Sequence, residues 1–219
     1  MEDFQPTARV TVKRHGERGR YDRATVDAIL AEGLIAHVGF VVDGQPFVIP
    51  TLYARIDDTL YFHGAAANRM LDTMAQGLPV CLTVTLVDGL VMARSHYSHS
   101  ANYRSVVILG RAREVVGADE KARSFEALVE QVARGRWATA RQPNEIESRT
   151  TRVVAVPMDE VSAKVRTGPP IDDEDDLGLP VWAGVVPLRT IADPPIPAPG
   201  MDPAIATPDY AARYRRPGW

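Results

Sequence analysis

The chain has 219 residues, of which 45% are hydrophobic, and a formal net charge of -3 at pH 7. Its length and apolar content suffice for one full core with appended segments, and its charge excludes a strongly basic nucleic-acid-binding protein. A single cysteine, Cys81, excludes an intrachain disulfide framework, and no apolar run is long enough to span a bilayer. We therefore expect a cytoplasmic protein that binds neither nucleic acid nor membrane.

Apolar periodicity and turn residues predict five to seven strands with helices inserted between them. In chain order, the predicted elements are a helix over 23–32, strands over 34–42, 45–56 and 59–63, a helix over 65–76, strands over 80–87, 90–94 and 103–116, a helix over 120–134, and a strand over 150–156 that 161–165 extends. Asp22 and Asp119 are the predicted N-caps of the first and last of these helices.

Turn signals decide how these strands pair. Asp43-Gly44 and Asp88-Gly89 are typical of two-residue hairpin turns, which join antiparallel strands. Pro50 and Gly110 lie inside predicted strands and indicate an edge, a bulge or a bend. We predict an α+β, mainly β fold built as a small closed antiparallel barrel, because the strand–helix alternation of a parallel doubly wound fold is missing.

The two ends of the chain differ in composition from its centre. Residues 1–21 are polar and of mixed charge, and we expect a loosely held N-terminal arm. Proline is frequent over 192–219, so this tail cannot form a core of its own. Its expected anchors on the body are Tyr210, Tyr214 and Trp219. The predicted organisation is thus arm 1–21, domain 22–191 and tail 192–219.

One short stretch, residues 60–71, combines a strand, a glycine break at Gly64 and a helix start. Unpaired N–H groups at a helix start attract anions, and the guanidinium of Arg69 fits a phosphate. The alternative is a plain strand–helix connection with one solvated arginine. These residues alone favour the alternative, because short motifs often match by chance.

Familiar catalytic motifs are absent from the sequence. It has no GxSxG elbow, P-loop, GxGxxG fingerprint or CxxC pair. His96 and His99 are spaced like a metal pair, but their serine-rich loop favours a solvated loop over a zinc site. Cys81 lies between two apolar residues and is interpreted as a small buried hydrophobe. We predict no metal site.

Four segments do occur in a suggestive order. They are Phe47-Val48-Ile49-Pro50-Thr51-Leu52-Tyr53, Tyr61-Phe62-His63-Gly64, Asn68-Arg69 and Tyr103-Arg104-Ser105-Val106. This order resembles the pyridoxamine 5'-phosphate oxidase-like flavin proteins and, within them, the nitroimidazole-resistance branch. The resemblance covers roughly residues 22–190. It implies an antiparallel six-stranded split β-barrel of the FMN-binding type, with flanking helices, that forms a homodimer with flavin sites at the interface.

The resemblance also implies FMN as the cofactor and gives each matched residue a role. The 50–53 backbone would line the flavin ring, and His63 and Gly64 would lie beside the ring. Asn68 and Arg69 stand where the oxidases carry Arg-Lys for the phosphate, so one cation is missing here. Trp182 and Arg189 are similar to a Trp…Arg pair that reaches the partner's site. The implied cofactor-binding set is Pro50, Thr51, Leu52, Tyr53, His63, Gly64, Asn68, Arg69, Tyr103, Arg104, Ser105, Trp182 and Arg189.

The implied activity is that of an FMN-dependent oxidoreductase acting on a small molecule, with His63 as the candidate catalytic proton donor. Nitroaromatic reduction is favoured over pyridoxamine-phosphate oxidation, because the oxidases' C-terminal substrate motif is not recognisable. Two alternatives stay open. One is a non-enzymatic flavin- or haem-binding module, with His37, His63 or His96 as the axial ligand. The other is a deazaflavin-dependent reductase of the same fold.

Overall fold

A computed structural model describes residues 2–219, which form eleven strands and five α-helices. The strands are β1 (Gly19–Arg20), β2 (Ile35–Val42), β3 (Gln45–Leu52), β4 (Ala54–Ile56), β5 (Thr59–Ala65), β6 (Pro79–Met92), β7 (Ser100–Arg111), β8 (Arg113–Glu114), β9 (Thr151–Pro157), β10 (Glu160–Arg166) and β11 (Gly184–Pro187). The helices are α1 (Arg23–Glu32), α2 (Arg69–Ala75), α3 (Ala118–Val132), α4 (Glu145–Thr150) and α5 (Asp209–Ala212).

The strands form two sheets. Sheet A has the order β1-β10-β7-β6-β2-β3, with β11 paired to the far end of β6, and sheet B has the order β4-β5-β9-β8. Every described pair is antiparallel. The prediction of a mainly β, antiparallel split barrel with flanking helices is confirmed. The strand count exceeds six partly because the chain crosses between sheets inside two of the predicted strands, and partly because the short strands β1 and β11 lie outside all of the predicted strands.

The first crossing is at Tyr53, which divides the predicted 45–56 strand into β3 of sheet A and β4 of sheet B. Its side chain is fully buried, and its hydroxyl donates to the carbonyls of Leu30 at 2.7 Å and Gly33 at 3.2 Å. The second crossing, at Ala112, separates β7 from β8. The apolar interiors of the two sheets meet at these corners in one core.

The predicted Asp88-Gly89 hairpin turn is wrong. β6 runs through these residues, and it pairs with β7 from Pro79 opposite Arg111 to Val91 opposite Ser100. The register shifts between Val87 and Gly89, which identifies a β-bulge. A bulge absorbs the extra residue without reversing the chain.

The helix starts differ from their predictions in two cases. α1 is confirmed, because Asp22 accepts from the backbone N–H of Thr25 and the helix ends at Gly33. α2 begins four residues later than predicted, since β5 continues to Ala65 in pairing with β9. The predicted Asp119 cap of α3 is wrong, because Gly117 holds the N-cap position and Asp119 lies in the first turn.

Both ends of the chain pack onto the barrel. In the N-terminal arm, Thr7 and Arg9 bond to the carboxylate of Glu160, and Val10 is buried. The arm is therefore held more firmly than its polar sequence predicts. In the tail, the buried Arg216 bonds to the end of α1. No helix within residues 2–219 is long and apolar enough to cross a membrane.

Candidate functional site

The outer face of sheet A is the side of its strands turned away from the core. On β7, Tyr103 and Ser105 alternate with the buried Val106 and Ile108, which places them on this face. On the edge strand β3, the exposed residues Val48, Pro50 and Leu52 share it. Four predicted site residues, Pro50, Leu52, Tyr103 and Ser105, therefore lie on one surface.

That surface is unusually apolar for an exposed one. Val48 is 67% exposed and Val41, on the neighbouring β2, is 54% exposed. Ile35 and Leu52 extend the patch at the other end of the same strand pair, where they face each other across the ladder. These exposed apolar side chains, which only His37 opposite Pro50 interrupts, are typical of an interaction surface.

The corner between β5 and α2 holds the candidate phosphate contact. The Arg69 guanidinium lies 5.2 Å from the centre of the Phe47 ring on β3. Among the described residues Arg69 forms no salt bridge, whereas the nearby Arg152 is paired with Asp72 at 2.8 Å. Arg69 is thus a cation free to meet an anion at the edge of sheet A.

Asn68 has a structural role at this corner. Its side-chain oxygen accepts from the backbone N–H of Leu71 at 3.2 Å, which makes it the N-cap of α2. Gly64 faces the same turn, and a Cβ there would lie 3.0 Å from Leu71 Cδ1. Both residues therefore let α2 sit tightly against β5, and α2 itself has only seven residues.

The side chains of residues 50–53 point in different directions, with Pro50 and Leu52 exposed on the outer face of sheet A. Thr51 is half-buried, beside the partly buried Ile49. Tyr53 is enclosed in the core, where burial raises the pKa of its hydroxyl. Tyr53 is 0% exposed as a whole residue, so neither its side chain nor its backbone is open to a ligand within one chain.

His63 points away from this corner into a cavity of about 540 Å³, named here the cap cavity. It lies between sheet B, α3 and the segment that leads to α4. Its lining is Leu52, His63, Phe125, Leu128, Val129, Val132, Arg136, Trp137, Ala140, Arg141, Pro143, Glu147 and Thr151. The ring of His63 has an open side, yet the surrounding protein removes enough water to lower its pKa.

Arg104 lies in an ion-pair cluster rather than on the outer face of sheet A. Its guanidinium donates to Glu32 at 2.5 and 2.9 Å and to Asp88 at 2.7 and 2.9 Å. These hydrogen bonds raise the pKa of Arg104 further above its usual range. All three nitrogens of its guanidinium group donate hydrogen bonds to other residues of the chain.

Arg189 lines a small cavity of about 220 Å³ beside this cluster, together with Arg104 and Glu32. Trp182 is 65% exposed and packs near Gly184 at the start of β11. The structure therefore brings Arg189 to Arg104, and it brings neither Trp182 nor Arg189 to His63 within one chain.

Side chains of the types that commonly bind metal ions do not cluster in the described residues. Within residues 2–219 there is no group of three or more His, Cys, Asp or Glu residues that could hold a metal ion. His99 Nδ1 is 2.9 Å from the carbonyl oxygen of Ser95, in its own loop. His37 lies exposed on the outer face of sheet A, opposite Pro50.

Sequence reasoning missed the cap cavity. Its walls come from the segment between β8 and β9, for which the sequence predicts a helix but no role. The available signal was the apolar stripe of Phe125, Leu128, Val129 and Val132, followed by Trp137. Such a stripe also fits plain core packing, and here it both covers Tyr61 through Phe125 and lines the cavity.

The sequence profile described as Pyridoxamine 5'-phosphate oxidase matches residues 22–165, which are most of the barrel. The chain belongs to this family. The resemblance inferred from the sequence is confirmed. No curated protein matches the chain.

Two solved structures are similar over nearly the whole chain. The flavocytochrome Anf3 from Azotobacter vinelandii is 41% identical, with 97% of this chain and 99% of that chain covered and a TM-score of 0.91. The FAD and haem binding protein from Mycobacterium smegmatis is 32% identical, with coverages of 87% and 94% and a TM-score of 0.84.

A third structure shares the fold. A proposed 5-nitroimidazole antibiotic resistance protein from Bacteroides thetaiotaomicron is 22% identical, with 67% of this chain and 86% of that chain covered and a TM-score of 0.57. Relatives of this chain thus include flavin-binding and haem-binding proteins.

Proposed function

We propose that this protein is a flavin-binding oxidoreductase that acts on a small molecule as a homodimer, with its flavin sites at the subunit interface. The observation that carries the proposal is the near-complete match to a flavocytochrome, at 41% identity. The corner at Arg69 and the outer face of sheet A supply what a flavin nucleotide needs: a cation for its phosphate and an apolar surface for its ring.

In this proposal Arg69 holds the phosphate end, and the backbone of 50–52, which precedes the buried Tyr53, lies along the ring. The free guanidinium beside Phe47 supports the first assignment, since phosphate binding needs an unpaired cation. The bound flavin supplies the electron-transfer chemistry, while the protein positions it and excludes water. FMN is the flavin that the family resemblance implies, and FAD is the one in the Mycobacterium smegmatis relative.

The visible spectrum of the purified protein tests the proposal. We expect flavin bands, and chromatography of the released cofactor then distinguishes FMN from FAD. Reduction by dithionite followed by transfer to a nitroaromatic or a quinone tests for oxidoreductase activity. A colourless protein that takes up neither flavin contradicts the proposal, and a flavin protein that reduces no acceptor supports a binding module instead.

Substitution of Arg69 tests the phosphate assignment. We expect Arg69→Ala to weaken flavin binding about tenfold or more, because a charged hydrogen bond to phosphate contributes about 1.5–3 kcal/mol. Flavin fluorescence titration of the apoprotein measures the change. Arg123→Ala, on the exposed surface of α3, is the matched control and should bind like the native protein. Equal affinity of both variants would contradict the assignment.

A second function is favoured by the names of both relatives above 30% identity, because each is described as a haem protein as well as a flavoprotein. We infer that this chain also binds haem. A Soret band in the purified or haemin-reconstituted protein would support this inference, and its absence under both conditions would contradict it.

A further inference from the structure

We propose that the cap cavity is the haem site of this protein, that His63 is the axial iron ligand, and that Arg136 and Arg141 bind the haem propionates. This proposal rests on the haem-binding function inferred above and adds the location, the ligand and the charge partners. Three features of the cavity carry it: the position of His63, the apolar walls and the two cations at the rim.

His63 is presented from a rigid strand. It pairs with Val153 of β9 and lies on the same face of sheet B as Tyr61, two residues earlier, which α3 covers. No hydrogen bond to its ring is formed by any residue of 2–219 that the structure describes. An imidazole that is fixed by its strand, directed into a cavity and without a partner is suited to bind iron.

The walls suit a large flat apolar ligand. Phe125, Leu128, Val129 and Val132 of α3 form one wall, and Trp137, Ala140 and Pro143 continue it. The volume of about 540 Å³ falls in the range of about 300–1,000 Å³ typical of ligand pockets. The apolar wall formed by α3 would also shield one side of a bound haem from water.

The rim carries positive charge where a porphyrin carries negative charge. Arg136 and Arg141 both line the cavity and both are exposed. Arg136 donates to the hydroxyl of Tyr210 at 2.8 Å, and Arg141 is paired with Glu147 at 2.7 Å. Two guanidinium groups at one mouth match the two carboxylates of haem, and Glu147 is the competing acid that propionate binding would displace.

The other four histidines of the chain are poorer candidates. His15 is beside Glu17, and His96 and His99 lie in the exposed loop before β7. His37 is on the outer face of sheet A, which the flavin proposal already uses. Only His63, of the described residues, brings an imidazole to the cap cavity.

His63 is also the only cavity-lining residue with a nitrogen or sulfur ligand suited to iron, and the lining includes no second His, Met, Cys or Tyr. The iron would therefore have one ligand from this chain. We expect carbon monoxide to bind the dithionite-reduced haem protein and to shift its Soret band.

The test is haemin binding by the full chain and three variants, followed by absorbance. We expect His63→Ala to lose the native Soret band and the carbon monoxide shift, and added imidazole to restore a histidine-like spectrum. His37→Ala and His96→Ala are the matched controls and should keep the native Soret band and its carbon monoxide shift. Circular dichroism of each variant verifies folding.

The outcomes separate the placement from the function. If the native protein takes up no haem, the haem-binding function fails and the placement fails with it. If the native protein binds haem and His63→Ala keeps the native spectrum, the function stands and the placement is wrong. Loss of the spectrum in His37→Ala instead would move the site to the outer face of sheet A and overturn the proposal.

A second set of variants tests the rim. We expect Arg136→Gln and Arg141→Gln each to weaken haemin binding about fivefold or less, since ion pairs of exposed side chains contribute little to affinity. Arg134→Gln, on the same exposed segment but outside the cavity lining, should bind haemin as the native protein does. If all three variants bind equally, the propionate assignment is wrong.

Discussion

Arg104 shows how a residue that matches a family motif can have a structural role. Its guanidinium joins Glu32, at the end of α1, to Asp88, in the bulge of β6. Glu32 is 10% exposed at its side chain, so the cluster is partly shielded from water. The charge of Arg104 therefore stabilises two carboxylates that would otherwise repel each other.

We predict that Arg104→Gln lowers the free energy of unfolding by about 2 kcal/mol, because two half-buried carboxylates lose their shared cation. Urea denaturation measures this loss. Flavin content at equal folded fraction should stay close to native, since Glu32 and Asp88 occupy four of the five N–H donors of the guanidinium. Loss of flavin without loss of stability would restore the motif-derived role in cofactor binding.

Arg216 has an equally specific role at the scale of one helix. Its guanidinium donates to the carbonyls of Ala31, Glu32 and Gly33 at 2.9 Å and to that of Gln131. The last carbonyls of a helix have no partner inside the helix, and a cation there also complements the helix dipole. The tail thereby caps α1 and ties it to α3.

We predict that Arg216→Ala destabilises the protein by about 2–3 kcal/mol, because several buried carbonyls lose charged donors at once. The tail should also become sensitive to limited proteolysis, although Tyr214 still bonds to Val132. Arg215→Ala, the exposed neighbour, is the control. Equal midpoints of urea unfolding for the two variants would contradict the capping role.

The helices and strands differ in how well their bounds could be predicted from the sequence. α1 follows from Asp22 and Gly33 alone, since both its caps are local signals. The bulge in β6 could not be predicted in this way, because the sequence Asp88-Gly89 is typical of a hairpin turn. Only the pairing of β7 with β6 on both sides of these residues identifies a bulge. The same applies to Tyr53, where only the partner strands reveal a change of sheet.

At the scale of the whole molecule, one part of the candidate site could be predicted from sequence motifs, and the other part depends on how distant segments pack together. Arg69 and the 50–53 strand could be found from motif order. The cap cavity could not, because its lining joins residues from Leu52 to Thr151 that no short motif connects. His63 was identified by its place in the motif, and the cavity changes the partner that we propose for it.

The outer face of sheet A gives the prediction for the assembly. We expect Val48→Asp to convert the proposed homodimer into a monomer and to reduce its flavin content, because a buried charge at the centre of an apolar interface is costly. Light scattering after size-exclusion chromatography measures the mass. Val116→Asp, at a site that is 87% exposed outside this face, is the matched control. A dimeric Val48→Asp protein would place the interface elsewhere.

The bond between Arg216 and Glu32 joins residues 184 positions apart. During synthesis on the ribosome, α1 is therefore made long before Arg216, and the carbonyls at the end of α1 lack this partner while the barrel strands emerge. Contacts of such large sequence separation form late and slow the folding of small domains. Completion of the first helix is thus coupled to arrival of the tail, so the nascent chain gains this contribution to its stability only after Arg216 has been synthesised.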